Sequence, residues 1–308
     1  MKSLRLYSNL SSTPTLQSLS KTFNISQQIP GVDLLVQTNS KEDSSRFSSE
    51  LYFSRLKAKF GSILLHGEEL PSTQTLVMET KACDDFVVCV ADRQTNGRGR
   101  GENTWESPLG CLMFSFRSSL PTAFGSKLPF FQYLVSLAII RSCKTIDVKC
   151  EVNIKWPNDI YAKHSIKIGG ILCQSHHDGE KFVVTTGVGL NVENEKPTTC
   201  LSSLAERKIH RELVLAEFFN SFELIYNQFL SGSEQPSFEP FLEEYLANWL
   251  HTGQRVAVDS EQRVLTIKGI SPTTATLLAE DEVGNTFELT PDGNRLDFFK
   301  GLVSKLVS

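Results

Sequence analysis

The sequence GRGRGENTWESPLG, residues 97–110, carries more information than any other stretch of this chain. Its two leading arginines lie on a glycine-rich backbone, and an aromatic residue and a proline follow them. Arginine side chains bind carboxylates and phosphates in two-point geometry, and glycine lets the backbone approach a ligand closely. The stretch therefore predicts a loop that closes over an anionic ligand. Taken alone, it leaves open a solvated surface loop without a ligand.

The composition is that of an ordinary globular protein. Of the 308 residues, 40% are hydrophobic and 21% are charged, and the formal net charge is -4. A negative net charge gives no electrostatic reason to expect nucleic-acid binding. The longest apolar run, residues 128–140, is too short to cross a bilayer. We therefore predict neither nucleic acid nor a membrane as a partner.

The cysteines and the N-terminal segment bear on the compartment. The seven cysteines form an odd set without C-x-x-C spacing, and most lie in apolar runs, where a free thiol behaves as a small hydrophobic residue. This favours a reducing compartment and argues against disulfides or structural zinc. The first 32 residues lack Asp and Glu. Their composition fits a chloroplast or mitochondrial transit peptide or a frayed extension, so the predicted location is cytoplasmic with an organelle left open.

Strand and helix patterns become clear mainly after residue 60. The predicted helices cover residues 44–59, 73–81, 128–146, 211–230 and 238–250, with Ser72 as the N-cap of the second. The predicted strands cover residues 62–66, 86–91, 112–116, 152–155, 160–162, 167–174, 182–191, 255–258, 263–270, 275–279 and 286–289, with a last strand near 297–302.

These patterns divide the chain into three parts. Residues 1–60 form a poorly defined N-terminal extension. In residues 61–251 strands and helices alternate irregularly, which favours an α+β catalytic domain with a mixed sheet. Residues 252–308 contain short strands with turn signals and no helical pattern, which predicts a small β-barrel.

Three further motifs follow the arginine loop. KWPND, residues 155–159, places an amide and a carboxylate on a turn that proline stiffens. KIGGIL, residues 167–172, begins an apolar strand with a lysine, and its twin glycines suggest the close approach of another group. GVGLN, residues 187–191, alternates glycines along a strand. Each motif alone is also compatible with an ordinary turn or strand.

Missing motifs exclude other kinds of site. A dinucleotide fingerprint lacks its third glycine, because Glu102 and Val192 stand at those positions. The sequence contains no G-x-x-x-x-G-K-[ST], which excludes a P-loop. It also contains no H-E-x-x-H and no G-x-S-x-G, which argues against a zinc protease or a serine hydrolase.

Together and in this order, the four motifs resemble those of the biotin–protein ligases, also called holocarboxylase synthetases. That family carries a GRGR loop with W-x-S-P-x-G, then KWPND, K-x-x-G-I-L and G-x-G-x-N. The resemblance extends from residue 61 to the C-terminus, and its closing segments look like the eukaryotic, plant-type branch. It implies an α+β, mixed-sheet catalytic domain of the biotin/lipoate ligase type followed by an SH3-like β-barrel.

The resemblance also implies an activity. Members activate biotin with ATP as biotinyl-5′-AMP and transfer it to a lysine of the biotin carboxyl carrier domain of a carboxylase. The implied substrates are biotin and ATP with Mg2+, and the implied partners are carrier domains. No protein-bound metal site is expected. Which carboxylases are modified, and whether the enzyme is a monomer or a homodimer, stay open.

Individual roles come with the same resemblance. Lys167 would span the biotin carboxylate and the α-phosphate, Arg100 would retain the adenylate, and Asp159 would orient the incoming lysine amine. The implied biotin-binding residues are Ser72, Thr73, Gln94, Gly97, Arg98, Gly99, Arg100, Lys167 and Gly169. The implied ATP-binding residues are Arg98, Arg100, Trp105, Asn158, Lys167 and Asn191.

Two positions depart from the family pattern. Gln74 stands where members often have asparagine, which puts that biotin contact in doubt, and Asn103 replaces a third loop arginine of bacterial members. Residues 1–60 show no helix-turn-helix pattern, so a repressor role is not expected. The alternatives are a lipoate–protein ligase with the same fold and adenylate chemistry, or a biotin-binding regulator without activity.

Overall fold

A nine-stranded mixed sheet organises most of the chain. The computed structural model describes residues 2–8, 32–36, 47–80, 85–146, 151–194, 196–232, 235–258, 263–290 and 302–303. The strands of the large sheet are β1 (Lys2–Ser8), β2 (Val32–Val36), β3 (Ile63–Leu70), β4 (Val87–Gln94), β5 (Cys111–Pro121), β6 (Val152–Lys155), β7 (Asp159–Ala162), β8 (Ile166–His177) and β9 (Lys181–Asn191). Their spatial order is β2-β1-β3-β4-β5-β9-β8-β7-β6.

The centre of the sheet is the antiparallel pair β5 and β9. These strands pair along their full length, from Cys111 with Asn191 to Pro121 with Lys181. β9 is rich in Val and Thr, and β5 contains Phe114 and Phe116; β-branched and aromatic side chains such as these favour the pleated conformation. β8 pairs with the other side of β9, so the KIGGIL and GVGLN motifs lie on neighbouring strands.

The helices lie on both faces of the sheet, where they pack into two separate apolar clusters. They are α1 (Ser49–Arg55), α2 (Thr73–Glu79), α3 (Phe131–Thr145), α4 (Leu201–Ala205), α5 (Arg211–Leu230) and α6 (Leu242–Ala247), with 3-10 segments at Thr122–Phe130 and Glu239–Phe241. The aromatic face of α5 packs on β5: the rings of Phe218 and Phe222 lie 4.9 Å from those of Phe114 and Phe116, respectively. Offset and edge-on ring contacts of this kind stabilise a core beyond their area.

The apolar stretch that contains α3 is a core element. Among the described residues, one helical segment, residues 122–145, is long and apolar enough to cross a membrane by composition alone, and 61% of its most apolar window is buried inside the protein. The predicted helix over 128–146 begins later than expected, because Pro129 lies in a 3-10 turn that precedes α3.

Sequence patterns missed part of the N-terminal region. Neither β1 nor β2 was identified, yet β1 lies antiparallel to β3 and extends the sheet. Leu4 and Leu6 are fully buried, as expected for one face of a strand. The alternating run is too short to stand out in the sequence. Ser48 caps α1, which ends four residues before the predicted helix does. The boundary at residue 60 stays a prediction.

The C-terminal strands form a second, five-stranded sheet with the order β13-β12-β11-β10-β14. Its members are β10 (Arg255–Val258), β11 (Arg263–Ile270), β12 (Leu277–Glu280), β13 (Thr286–Leu289) and β14 (Leu302–Val303). The α+β class is confirmed, and the sheet is consistent with the predicted SH3-like barrel. The predicted strand at 275–279 starts later, because Ala275 has a positive φ of 61°. Residues 291–301 lie outside the described residues.

The predicted helix over 238–250 is shorter than expected. It consists of the 3-10 turn Glu239–Phe241 and α6, and the chain then leaves the helix to pair with the edge strand β6. Ile154 donates to the carbonyl of Asn248 (2.8 Å) and accepts from Leu250 (3.0 Å). Residues 248–250 therefore connect the catalytic sheet to the segment that begins the C-terminal sheet.

The cysteines that the structure describes are all free thiols, namely Cys89, Cys111, Cys143, Cys173 and Cys200. Burial raises the pKa of Cys111 to about 12 and that of Cys173 to about 11. Both thiols are therefore protonated near neutral pH and poorly nucleophilic. A reducing compartment stays a prediction.

Because His251 is buried, we expect the protein to lose stability in mild acid. Burial, with a smaller contribution from the charge of Lys155, lowers the pKa of His251 from 6.5 to about 4, although the hydrogen bond to Gln254 acts in the opposite direction. A depressed histidine pKa stabilises the folded state fully above pH 6.5, and this contribution is lost as the pH falls from 6.5 to about 4. The loss is on the order of 3 kcal/mol. Urea unfolding at several pH values should show a shallower acid decline for His251→Gln than for the wild type, and parallel declines would contradict this.

Candidate active site

A cavity of about 450 Å³ lies where the N-terminus of α2, the loop after β4 and the strands β8 and β9 meet. Most of the predicted site residues line it. They are Ser72, Thr73, Gln94, Arg98, Gly99, Arg100, Trp105, Asn158, Asp159 and Lys167. The fold therefore brings together four motifs that are separated by up to a hundred residues in sequence.

One end of the cavity is polar and uncharged. The backbone N–H of Thr73 donates to Gln94 Oε1 (2.8 Å), and the Thr73 hydroxyl lies 2.8 Å from the Ser115 hydroxyl. Nε2 of the same Gln94 amide donates to Ser107 Oγ (3.2 Å). Ser72 accepts from the N–H of Thr75 as the N-cap of α2, as predicted. Ser115, on β5, was not predicted.

Gln74 belongs to this polar end. Its Nε2 donates to the carbonyl of Leu172 (3.2 Å) and to Gln174 Oε1 (2.9 Å). The side chain lies over Gly187, where a Cβ atom would meet Gln74 Oε1 at 2.2 Å. The glutamine that departs from the family pattern is thus held against β8 and β9 in the wall of the cavity.

The arginine loop is a short hairpin. Gly99 donates to the carbonyl of Asn103 (2.8 Å), and Trp105 donates to the carbonyl of Gly97 (3.0 Å). Asn103, where bacterial members carry an arginine, donates from its side chain to the carbonyl of Arg100 (2.8 Å). Asn103 therefore shapes the loop that presents the two arginines.

Two glycines make room for the indole of Trp105. Gly170 on β8 and Gly189 on β9 are paired in register, and the indole lies over both. A Cβ atom at Gly189 would be 2.4 Å from Trp105 Cε2, whereas one at Gly170 would be 3.5 Å from Trp105 Cζ3. The first distance is a clash and the second an ordinary contact.

This asymmetry predicts a difference between two alanine variants. Gly189→Ala should displace the indole, whereas Gly170→Ala should leave it in place. If Trp105 packs against adenine, the loss of about 1 kcal/mol of aromatic packing should raise the KM for ATP about fivefold in Gly189→Ala alone. Steady-state kinetics and tryptophan fluorescence measure this effect. Equal KM values for the two variants would contradict the role of Gly189.

The other end of the cavity is charged. Lys167 Nζ lies 2.7 Å from Asp159 Oδ1, and the two side chains are 42% and 19% exposed. Asn158 and Ile171 exchange two hydrogen bonds of 2.8 Å, which hold the KWPND turn against β8. Burial, together with the charge of Asp159, raises the pKa of Tyr161 to about 12. Lys167 is therefore a half-exposed cation with a carboxylate partner.

Comparison with known proteins gives the family of this chain. The model of the biotin/lipoate A/B protein ligase family matches residues 66–191. The chain is 40% identical over 284 residues to biotin–protein ligase 2 of Arabidopsis thaliana, with 86% of this chain and 84% of the relative covered. The chain belongs to the biotin–protein ligase family. Members of this family are ATP-dependent ligases, so the protein is an enzyme.

A second relative and a solved structure agree with this membership. The chain is 39% identical over 286 residues to the chloroplastic biotin–protein ligase 1 of Arabidopsis thaliana, covering 87% of this chain and 76% of the relative. The biotin protein ligase of Aquifex aeolicus in complex with biotin and ATP matches with a TM-score of 0.61 and 26% identity, over 73% of this chain and 94% of that one. A biotin–protein ligase fold is confirmed.

Three predicted ligand contacts lie outside the cavity lining. Gly97 and Gly169 are packed against protein: their Cβ atoms would lie 2.5 Å from Trp105 O and 2.9 Å from Leu190 Cδ1. Asn191 is 3% exposed and donates to Thr198 Oγ1 (3.0 Å) and the carbonyl of Thr199. The cavity is lined instead by Gly170, Gly187 and Gly189. Ligand contacts of the first three residues stay predictions.

The described residues offer no cluster of three or more His, Cys, Asp or Glu side chains that could hold a metal ion. Asp159 is the carboxylate that lines the cavity, and it is paired with Lys167. The donor set present does not fit a resident divalent cation.

Proposed function

We propose that this biotin–protein ligase attaches biotin to a specific lysine of biotin carboxyl carrier domains. One observation carries the proposal: a single cavity joins a neutral, hydrogen-bonding end to an end with three cationic side chains, those of Arg98, Arg100 and Lys167. Biotin and ATP bound side by side would match this arrangement, because the ring system of biotin is neutral and its carboxylate tail lies next to the phosphates.

The neutral end suits the ureido ring of biotin. That ring offers N–H donors and a carbonyl acceptor but no charge. The hydroxyls of Thr73 and Ser115 and the side chains of Gln74 and Gln94 supply the complementary groups. Because Thr73 already bonds Ser115 and Gln94, and Gln74 is bonded to β8, the pocket is held in shape before the ligand arrives.

The cationic end suits adenylate formation. A carboxylate oxygen of biotin attacks the α-phosphorus of ATP, the new O–P bond forms, and the bond to pyrophosphate breaks. Negative oxygens accumulate at this step, and fixed cations stabilise them. Lys167 is a compact ammonium on a flexible stem, so it follows oxygens that move during the reaction. It would exchange its contact with Asp159 for these oxygens.

The second step releases AMP. The neutral amine of the acceptor lysine attacks the acyl carbon, an amide bond forms, the bond to AMP breaks, and the amine loses a proton. Once Lys167 has turned to the adenylate, the carboxylate of Asp159 becomes available to orient that amine. Trp105, on its glycine floor, would pack against the adenine ring. Magnesium would enter with the ATP phosphates, as part of the substrate.

Partners and location follow the same reasoning. The acceptors are carrier domains of carboxylases, with no role for nucleic acid or membrane. We place the enzyme in the cytoplasm, where free thiols persist. The relative that is named chloroplastic supports an organellar form as the alternative, which imaging of a full-length fusion distinguishes. Whether the enzyme works as a monomer or a homodimer is measured by ultracentrifugation.

The proposal is tested by transfer to a purified carrier domain. The enzyme is incubated with Mg·ATP and either biotin or lipoate, and bound adenylate is identified by mass spectrometry. A carrier domain is then added, with its acceptor lysine replaced by arginine in the control. We expect biotinyl-AMP and a biotin adduct on the lysine-bearing domain alone. A lipoyl adduct instead, or no adduct, would reject the proposal.

A further inference from the structure

The tryptophan of the KWPND motif is held by residues from outside its hairpin. Trp156 is 3% exposed. Its indole N–H donates to the hydroxyl of Tyr133 on α3 (2.6 Å), and its backbone N–H donates to Nε2 of His251 (2.9 Å). Buried donors are costly to leave unpaired, so both contacts constrain where Trp156 lies.

Both contacts continue to the C-terminal sheet. The hydroxyl of Tyr133 donates in turn to the carbonyl of Ala275 (2.6 Å), in the turn between β11 and β12. Because Nε2 of His251 accepts, its proton is on Nδ1, which donates to Gln254 Oε1 (2.9 Å) at the start of that sheet. Arg100 of the arginine loop, Tyr133 and Ala275 also line one cleft of about 410 Å³.

The constrained turn leads directly to the charged end of the cavity. Asn158 is fixed to Ile171 on one side, and Trp156 is fixed to Tyr133 and His251 on the other. Asp159, the next residue, meets Lys167 at 2.7 Å. A small displacement of Trp156 would therefore be passed to the Asp159 carboxylate within three residues.

We propose that Tyr133 and His251 are positioning residues, through which the C-terminal sheet holds Asp159 in place for the transfer step. They touch neither substrate nor the reacting atoms, and the inference rests on the proposed function. It assigns the C-terminal sheet a defined action on the catalytic turn. A purely structural role would lower stability without changing the transfer rate of folded enzyme.

Matched tyrosine variants separate these roles. Tyr133→Phe is compared with Tyr226→Phe, because the buried hydroxyl of Tyr226 also donates to a backbone carbonyl, that of Ser119, within the catalytic domain. Tyr133→Phe should melt at the lower temperature, because it also leaves the buried indole N–H of Trp156 without its acceptor, so both variants are assayed well below their melting transitions. We expect Tyr133→Phe to slow transfer from preformed biotinyl-AMP to the carrier domain about tenfold, a part of the ~100-fold that a 1 Å misplacement can cost. Pyrophosphate exchange should change less than about twofold, because Lys167 lies on β8.

A second pair of variants tests the other contact. His251→Phe removes the acceptor for the N–H of Trp156 and should reproduce the slow transfer, whereas His251→Gln places an amide oxygen near the position of Nε2 and should restore most of the rate. Equal transfer rates for Tyr133→Phe and Tyr226→Phe would overturn the inference while leaving the proposed function intact. A wild-type enzyme that makes no biotinyl-AMP would overturn the proposed function, and the inference with it.

Discussion

Lys167→Ala should abolish the formation of biotinyl-AMP. The variant leaves the biotin carboxylate and the α-phosphate facing each other without the ammonium that now lies 2.7 Å from Asp159. Removal of one electrostatic contact of this kind typically costs about 100- to 1000-fold in rate. Biotin-dependent pyrophosphate exchange measures the step directly, before any carrier domain is added.

The control for this prediction is Lys181→Ala. Lys181 is an exposed lysine at the start of β9, at the opposite end of the strand from Asn191, and it does not line the cavity. Its loss removes the same charge from the protein but should leave the exchange rate unchanged. Exchange near the wild-type rate in Lys167→Ala would remove Lys167 from the proposed mechanism.

Arg100→Ala should separate the two half-reactions. Arg100 lines the cavity from the hairpin loop. If it retains the adenylate, Lys167 still supports activation while the intermediate escapes. A charge-assisted hydrogen bond contributes roughly 1.5–3 kcal/mol, which corresponds to about 10- to 150-fold faster release.

Escaped biotinyl-AMP acylates exposed amines without an enzyme, so the readout is a bystander protein. Enzyme, biotin, Mg·ATP and an unrelated protein are incubated together and blotted for biotin. Arg93→Ala is the control, because Arg93 is an exposed arginine on β4 that does not line this cavity. Arg100→Ala should label the bystander strongly and Arg93→Ala should not. Equal labelling, with adenylate still formed, would show that Arg100 does not retain the intermediate.

The local patterns of the sequence were sufficient for the chemistry and for most elements. The cations, the glycines and the KWPND turn each lie in a short contiguous motif, so these residues could be recognised in the sequence without knowledge of the fold. The helix over 211–230 and the strands over 152–155 and 255–258 were predicted with the bounds that the structure has. In each of these segments the hydrophobic period is regular and the ends are marked by turn residues.

Only the tertiary structure shows which face of the sheet a residue lies on and which residues it contacts. Strand alternation shows that Gly169 and Gly170 point to opposite faces, but the register of β8 with β7 and β9 decides that Gly170 faces the cavity. That register contains an irregularity between Ile160 and Tyr161, which no local pattern indicates. The β1 strand was missed for a related reason, since a short strand gains its stability from pairing with β3.

The sequence by itself determined which chemical groups this enzyme brings to its reaction, because those groups are residue types in contiguous motifs. Only the tertiary structure decided which groups meet. Ser115 reaches Thr73, and Tyr133 links Trp156 to Ala275, across separations of 23 to 142 residues. Such contacts depend on sheet register and on the packing of α3 between two sheets. These are properties of the whole chain, and no local stretch of sequence contains them.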